Sequence, residues 1–168
     1  MLSRRALLGA AAAVTAVLGG GALVTLGRWW DRPPGEGYRW LSLEEAAIVR
    51  AVAGAAWPGG EVVALEGETA GLDHFFDEML ATMPETPVEL LKLLLHVLDD
   101  LASLDAGTGL ANLSKQARSD IVMGWLASPL PELRSATTGL VVLLGMGYTT
   151  HPEARWPFPH LYGCGYAR

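Results

Sequence analysis

Histidine and carboxylate side chains cluster at two places in the chain, and the first is Asp73-His74 with Asp77 and Glu78. On a helix, Asp73 and Asp77 lie one turn apart on the same face, with the other two one position round. Such a group could bind a metal ion. A di-iron site in a helical bundle needs a glutamate three residues before the histidine, where this chain has Gly71. We therefore expect solvated acidic side chains here, and no metal site.

The second cluster is His96, followed three and four residues later by Asp99 and Asp100. A neighbouring carboxylate can tune a histidine for proton transfer, and this is one interpretation. The favoured alternative is an ordinary hydrogen bond on a helix surface. No Gly-x-Ser-x-Gly nucleophile motif occurs either. The sequence thus identifies no catalytic or cofactor-binding residue, and we expect this chain by itself to be no enzyme.

Helix-capping signals and apolar spacing predict an all-α body, a small bundle of about five helices. Ser42-Leu43-Glu44-Glu45 is a capping box, and Thr86 to Glu89 has the same pattern with proline at the first helical position. Ser114 is a further N-cap candidate. The predicted helices cover residues 42–56, 72–83, 86–104, 114–127 and 131–146. The third is apolar nearly all round its middle, so we expect it to be the central helix.

Residues 147–168 form a predicted C-terminal tail that is rich in aromatic residues and proline, and we expect it to be irregular. Its rings must be buried, either on the chain's own bundle or on a partner protein. The tail residues that we predict to bind a partner are Tyr148, His151, Pro152, Trp156 and Phe158.

An uncharged run of 21 residues, Ala6 to Leu26, follows Arg4 and Arg5. As a helix it would be about 30 Å long, enough to cross the hydrocarbon core of a bilayer. Positive charge stays on the cytoplasmic side, so the body is expected on the outer side. The prediction is a bacterial inner-membrane protein with a periplasmic body.

Residues 3–8, Ser-Arg-Arg-Ala-Leu-Leu, resemble a twin-arginine export signal, in which Arg4 and Arg5 are the signal residues. The alternative is an arginine pair that only flanks an anchor helix. A candidate cleavage site at residues 20–22 is followed by more apolar residues, so a retained anchor is favoured. The predicted organisation is a signal or anchor at 1–27, a tether at 28–41, a helical domain at 42–146 and the tail.

Charge is divided unevenly along the chain. Residues 1–41 contain five arginines and two acidic residues, so of the net charge of −6 the remaining residues carry −9. An acidic body argues against binding to nucleic acid. Cys164 is the single cysteine, which excludes an intrachain disulfide; the thiol could pair with another chain or simply be buried.

Three short motifs together resemble the family called gluconate 2-dehydrogenase subunit 3. They are the arginine-pair signal, a leading helix that starts Leu-Ser-Leu-Glu-Glu-Ala at 41–46 and closes with Trp-Pro at 57–58, and Gly-Tyr-Thr-Thr-His-Pro at 147–152. Leu113, Ser114 and Arg118 are similar to the family's fourth-helix start. Trp156 to His160 and Cys164 are not part of the pattern.

The resemblance implies a non-catalytic partner of a large FAD-dependent dehydrogenase of the glucose-methanol-choline type. The FAD would belong to that partner, with no cofactor in this chain, and a cytochrome c subunit is a possible third component. The small subunit would carry the export signal and help the large one to mature. Two rival hypotheses are a free-standing membrane-anchored binding domain and an independent enzyme that uses His74 or His96.

Overall fold

Six α-helices and two short 3-10 turns make up the part of the chain that the computed structural model describes, residues 32–60 and 65–155. The compact unit to which they belong begins at Pro34. No strand occurs in these residues, so the predicted all-α class is confirmed for them. The helices are α1 (Leu43–Ala56), α2 (Leu72–Leu80), α3 (Glu85–Ala106), α4 (Lys115–Leu126), α5 (Pro131–Thr150) and α6 (Pro152–Arg155); the 3-10 turns are Gly67–Thr69 and Leu110–Asn112.

The centre of the domain is α1, which contacts α2, α3, α4, α5 and both 3-10 turns. Eight of its 14 residues are buried, and half of those eight are alanines. Small side chains let neighbouring helices approach closely on several sides at once. The expectation that residues 86–104 form the central helix is therefore wrong, and the main contacts of α3 are with α1 and the turn Leu110–Asn112.

Two of the three predicted N-caps are confirmed. The Ser42 side chain accepts from the Glu45 backbone N–H, and the Glu45 side chain accepts in return from Ser42, which completes the capping box. Ser114 caps α4 by accepting from the backbone N–H of Ala117. The third cap is wrong, because α3 begins at Glu85 and Thr86 already lies inside its first turn.

The predicted tail is also partly helical. Helix α5 continues four residues beyond the expected end at 146, and Pro152–Arg155 forms the short α6. Gly147, the first residue of the predicted tail, lies inside α5; glycine there costs only about 1 kcal/mol, and its missing side chain leaves room for the ring of Phe75. The later tail and the predicted anchor at 6–26 lie outside the described residues. Among those that are described, no helix has the length and hydropathy needed to span a bilayer.

Gly67 allows the first 3-10 turn to pack directly on α1. Its backbone N–H donates to the carbonyl of Trp57 at 2.8 Å, and a Cβ on this residue would collide with the carbonyl oxygen of Ala53. The clash would be with backbone, which cannot move aside as a flexible side chain can. A close approach between two chain segments thus depends on a missing side chain.

Gly67→Ala should therefore lower the free energy of unfolding by about 2 kcal/mol or more, as overpacking does in a close-packed site. Gly139→Ala is the matched control, since a Cβ there meets nothing within 4 Å inside α5. That variant should be neutral or more stable by about 0.5–1 kcal/mol through its higher helix propensity. Urea denaturation followed by circular dichroism measures both, and equal stabilities would contradict the packing argument.

Candidate functional site: a polar clamp on the leading segment

The residues just before α1 are held against the bundle by polar side chains. We call residues 35–42 the leading segment. It folds back on itself, with the backbone N–H of Gly35 donating to the Leu41 carbonyl at 2.8 Å, and Gly37 takes a positive φ of 86° in the turn. Leu41 is fully buried. The second half of the stretch that the sequence places in the tether, residues 35–41, is therefore folded onto the domain, with Leu41 buried in its core.

Besides Glu45 of the capping box, four side chains from three helices bind this segment, and we call these four the clamp. They are Arg50 of α1, Asp73 and Asp77 of α2, and Lys92 of α3.

Asp77 makes the most extensive of these contacts. Its carboxylate accepts from three successive backbone N–H groups, those of Arg39, Trp40 and Leu41, each at 2.8 Å. The residue is only 4% exposed. A buried carboxylate is costly unless donors surround it, and hydrogen bonds to an ionised acceptor are stronger than neutral ones. The leading segment supplies those donors, and α2 holds the segment in return.

A second group joins the tyrosine of the leading segment to α1 and α2. The Tyr38 hydroxyl donates to Asp73 Oδ2 at 2.6 Å, and Arg50 Nη1 donates both to Asp73 and to the Tyr38 oxygen. The Tyr38 ring stacks on His74, with centroids 4.7 Å apart. His74 therefore packs against an aromatic ring.

The electrostatics of this group follow from its burial and its hydrogen bonds. Burial by itself would raise the pKa of Asp73, but the bonds from Tyr38 and Arg50 bring that pKa below its ordinary value. The pKa of Tyr38 is raised, first by burial and then by its bond to the Asp73 carboxylate. Both shifts favour an ionised Asp73 and a protonated Tyr38, which is the pairing that the geometry uses.

A third group lies between α1 and α3 around the fully buried Glu45. Glu45 Oε2 accepts from the backbone N–H of Ser42 at 2.7 Å and lies 3.2 Å from Lys92 Nζ, while Oε1 is 3.1 Å from His96 Nε2. A carboxylate can only accept, so Nε2 carries the proton of that bond. Lys92 also donates to the Trp40 carbonyl at 2.8 Å. Glu45, the glutamate of the capping box, is thus also the counterion of Lys92 on α3.

Burial would raise the pKa of Glu45, but hydrogen bonds from His96 and Ser42 and the charge of Lys92 lower it below the ordinary value of 4.5. The pKa of Asp99, which lies on α3 about one turn beyond His96, is shifted in the opposite direction. Burial raises its pKa, although the backbone N–H of Leu110 donates to it at 2.7 Å. One carboxylate has enough donors to remain charged at low pH, and the other does not.

Two interpretations of these side chains from sequence are therefore wrong. Asp73 and Asp77 are buried, not solvated, and His96 is buried against Glu45, not on a helix surface. A signal for the aspartates was present, because helical geometry places both beside the buried stripe of Leu72, Phe76 and Leu80. For His96 the partner lies 51 residues away, and no local pattern indicates it.

The residues predicted to bind a partner are divided between the interior, the surface and the part of the chain that is not described. Tyr148 packs within the domain, its ring stacked 4.7 Å from Trp57 and its hydroxyl donating to the Leu65 carbonyl at 2.7 Å. His151 is half-buried at the end of α5, and Pro152 is exposed. The other predicted site residues, Arg4, Arg5, Trp156 and Phe158, lie outside the described residues.

In residues 32–60 and 65–155, no three histidine, cysteine or acidic side chains are grouped so that they could hold a metal ion. Comparison with known protein families, with curated proteins and with solved structures finds no match for this chain. The family resemblance therefore depends on the short motifs quoted above. What the clamp can do chemically is hold a chain segment by charge-assisted hydrogen bonds.

Asp77→Ala should destabilise the domain by about 3 kcal/mol or more, because it leaves three backbone N–H groups without their acceptor. Asp120→Ala on α4 is the matched control, since that exposed carboxylate accepts from the Gln116 side chain. It should change stability by less than about 0.5 kcal/mol. Hydrogen exchange should also show faster exchange at residues 39–41 in the Asp77 variant alone, and unchanged protection there would contradict the clamp.

Glu45→Gln should make the free energy of unfolding depend less steeply on pH in the acid range. Since the folded-state pKa of Glu45 lies below 4.5, the unfolded chain takes up the proton first as the pH falls. The stabilisation that Glu45 contributes is complete above pH 4.5 and is lost as the pH falls through its folded-state pKa. Urea unfolding at a series of acid pH values should therefore give a shallower slope than in the wild type.

Asp99→Asn should change the pH dependence of stability in the opposite direction. The raised pKa of Asp99 means that the folded chain binds its proton more readily than the unfolded chain above the ordinary value of 3.8. That contribution favours the folded state below 3.8 and is lost as the pH rises through the raised pKa. Removing the group should make the acid loss of stability steeper, and identical slopes in both variants would contradict the electrostatic argument.

Proposed function

We propose that this chain is a non-catalytic accessory subunit that supports the export, maturation and membrane attachment of a FAD-dependent dehydrogenase of the glucose-methanol-choline type. The partner would hold the FAD, and a cytochrome c subunit would complete the complex. The proposal combines the motif resemblance with one structural observation, which is the clamp on the leading segment.

The clamp supports the proposal because of where the leading segment lies in the chain. It directly follows the predicted anchor and the first part of the tether. Its backbone is bonded to α2 through Asp77 and to α3 through Lys92, and its Tyr38 side chain to α1 through Arg50. A domain that must hold a large partner at a membrane needs a firm join between its anchor and its folded body. Hydrogen bonds to three helices distribute any pull on the segment over the whole bundle.

The clamp also accounts for the buried polar residues without assigning them a catalytic role. Glu45, Asp73 and Asp77 are each bonded to groups that connect the leading segment with the helices. These contacts stabilise the folded domain itself. The outer faces of α3, α4 and α5 are then the surfaces that a partner could occupy.

Export of the flavoprotein should fail when the arginine pair is replaced in an Arg4→Lys, Arg5→Lys double variant. The reason is that the partner has folded around its FAD in the cytoplasm and leaves only on this chain's signal. The measurement uses a C-terminally tagged chain expressed in its native host. FAD and the co-purifying large chain are then quantified in membranes and periplasm.

Arg28→Lys, Arg32→Lys is the matched control, with the same exchange of two arginines outside the signal. It should leave flavoprotein in the membrane and periplasmic fractions at the wild-type level. Two results would overturn the proposal: normal periplasmic flavoprotein in the Arg4, Arg5 variant, or a wild-type chain that purifies without any flavoprotein. In the latter case, ligand-dependent melting of the lone chain would favour the anchored binding domain.

A further inference from the structure

Helix α3 has apolar residues on two sides, and only one of them faces the core. Val88, Leu95, Leu98 and Ala102 are buried. On another side, Leu90 is 42% exposed and Leu104 is 70% exposed. At 100° per residue, Leu90 and Leu104 lie within about 60° of one another together with the half-buried Leu93 and Val97. We call these four residues the outer stripe; it is centred roughly 150° round the helix from the core side.

The outer stripe is long enough to be an interface. From Leu90 to Leu104 it extends about 21 Å along the helix. Leu94 and Leu101, which pack partly against the core, continue the apolar surface from the stripe to the rest of the domain. A continuous exposed apolar surface on a soluble domain commonly marks a site of protein contact.

Charged residues along the stripe indicate what kind of surface fits it. Glu89 and Asp100 border one side, and Asp105 borders the other near the end of the helix. Lys92, the single lysine or arginine of α3, lies further round the helix and is bonded to Glu45 and to the Trp40 carbonyl. An apolar strip bordered by acids fits an apolar surface bordered by lysine or arginine.

The acidic border also argues against two other occupants. A second copy of this chain, docked stripe to stripe, would bring two acidic borders close together, which is destabilising. An anionic lipid surface would be repelled for the same reason. The pKa of Asp100 is raised by burial and by the charge of Asp99, so a cation from a partner would stabilise two neighbouring carboxylates.

We propose that the outer stripe, with its acidic border, is the docking surface for the large partner chain, which meets it with an apolar helix or groove bordered by basic residues. This assignment rests on the proposed function for the identity of the partner. The contact has apolar residues at its centre and charges at its rim, which is the usual anatomy of a protein interface.

The test compares charge insertions at exposed apolar residues on different faces. Leu90→Glu with Leu104→Glu places two carboxylates in the outer stripe. Leu130→Glu with Met123→Glu makes the same kind of change at residues that are 61% and 55% exposed on the α4 side of the domain. All four positions are exposed, so circular dichroism and thermal melting should show a folded domain in both variants. Each tagged full-length variant is purified from native membranes, and FAD per tagged chain is measured.

The outer-stripe variant should retain less FAD-containing partner by about tenfold or more, as expected when charges enter the centre of an interface. The Leu130, Met123 variant should retain the wild-type amount. A second pair tests the border: Asp100→Lys should lower partner retention and make the remainder less salt-sensitive, while Asp120→Lys on α4 should not.

Other outcomes overturn the assignment in distinguishable ways. Equal retention by the outer-stripe variant and the Leu130, Met123 variant would reject the outer stripe and leave the accessory function standing. A wild-type chain without flavoprotein would reject the accessory function and with it this occupant. Faster hydrogen exchange along α3 after deletion of residues 156–168 would show that the chain's own tail covers the stripe. A wild-type dimer that becomes a monomer in the outer-stripe variant would assign the stripe to a second copy.

Discussion

A buried carboxylate must find donors, and the fold of this domain is arranged around that constraint. Asp77 finds three of them in the backbone of residues 39–41, which lie 36 to 38 positions earlier in the chain. Glu45 is satisfied by its own cap and by two side chains of α3. Losing either partner of such a bond exposes the other to the full cost of desolvation, so the leading segment, α1, α2 and α3 are held as one unit.

The choice of α1 as the central helix has consequences for the other helices. Its alanines allow α2, α3, α4 and α5 to approach it closely, and most of the larger buried apolar side chains come from those surrounding helices. Helix α3 is consequently placed at one side, where a single face is enough to bind it to α1. Leu90 and Leu104 are then left exposed on its outer side. A strongly apolar helix at the periphery is therefore the origin of the outer stripe.

These two features support the proposed role in different ways. The clamp holds the leading segment on the body, and the sequence predicts a membrane anchor ahead of that segment. The outer stripe gives the same body a surface on which another chain could dock. An accessory subunit needs both a stable connection to its anchor and a surface that binds its partner. Neither feature requires a catalytic site.

Local signals in the sequence were sufficient for the all-α class, for the start of α1 at its capping box and for the Ser114 cap, because each depends on residues three or four positions apart. They failed at Thr86, because α3 begins one residue earlier, and at the end of α5, where Gly147 packs against Phe75. Only the tertiary structure decided that Asp73, Asp77 and His96 are buried, that Tyr148 stacks on Trp57, and that α1 is central. The physical reason is distance along the chain: a charged side chain can be buried only where another segment brings its donors, and those donors come from residues 23 to 51 positions away.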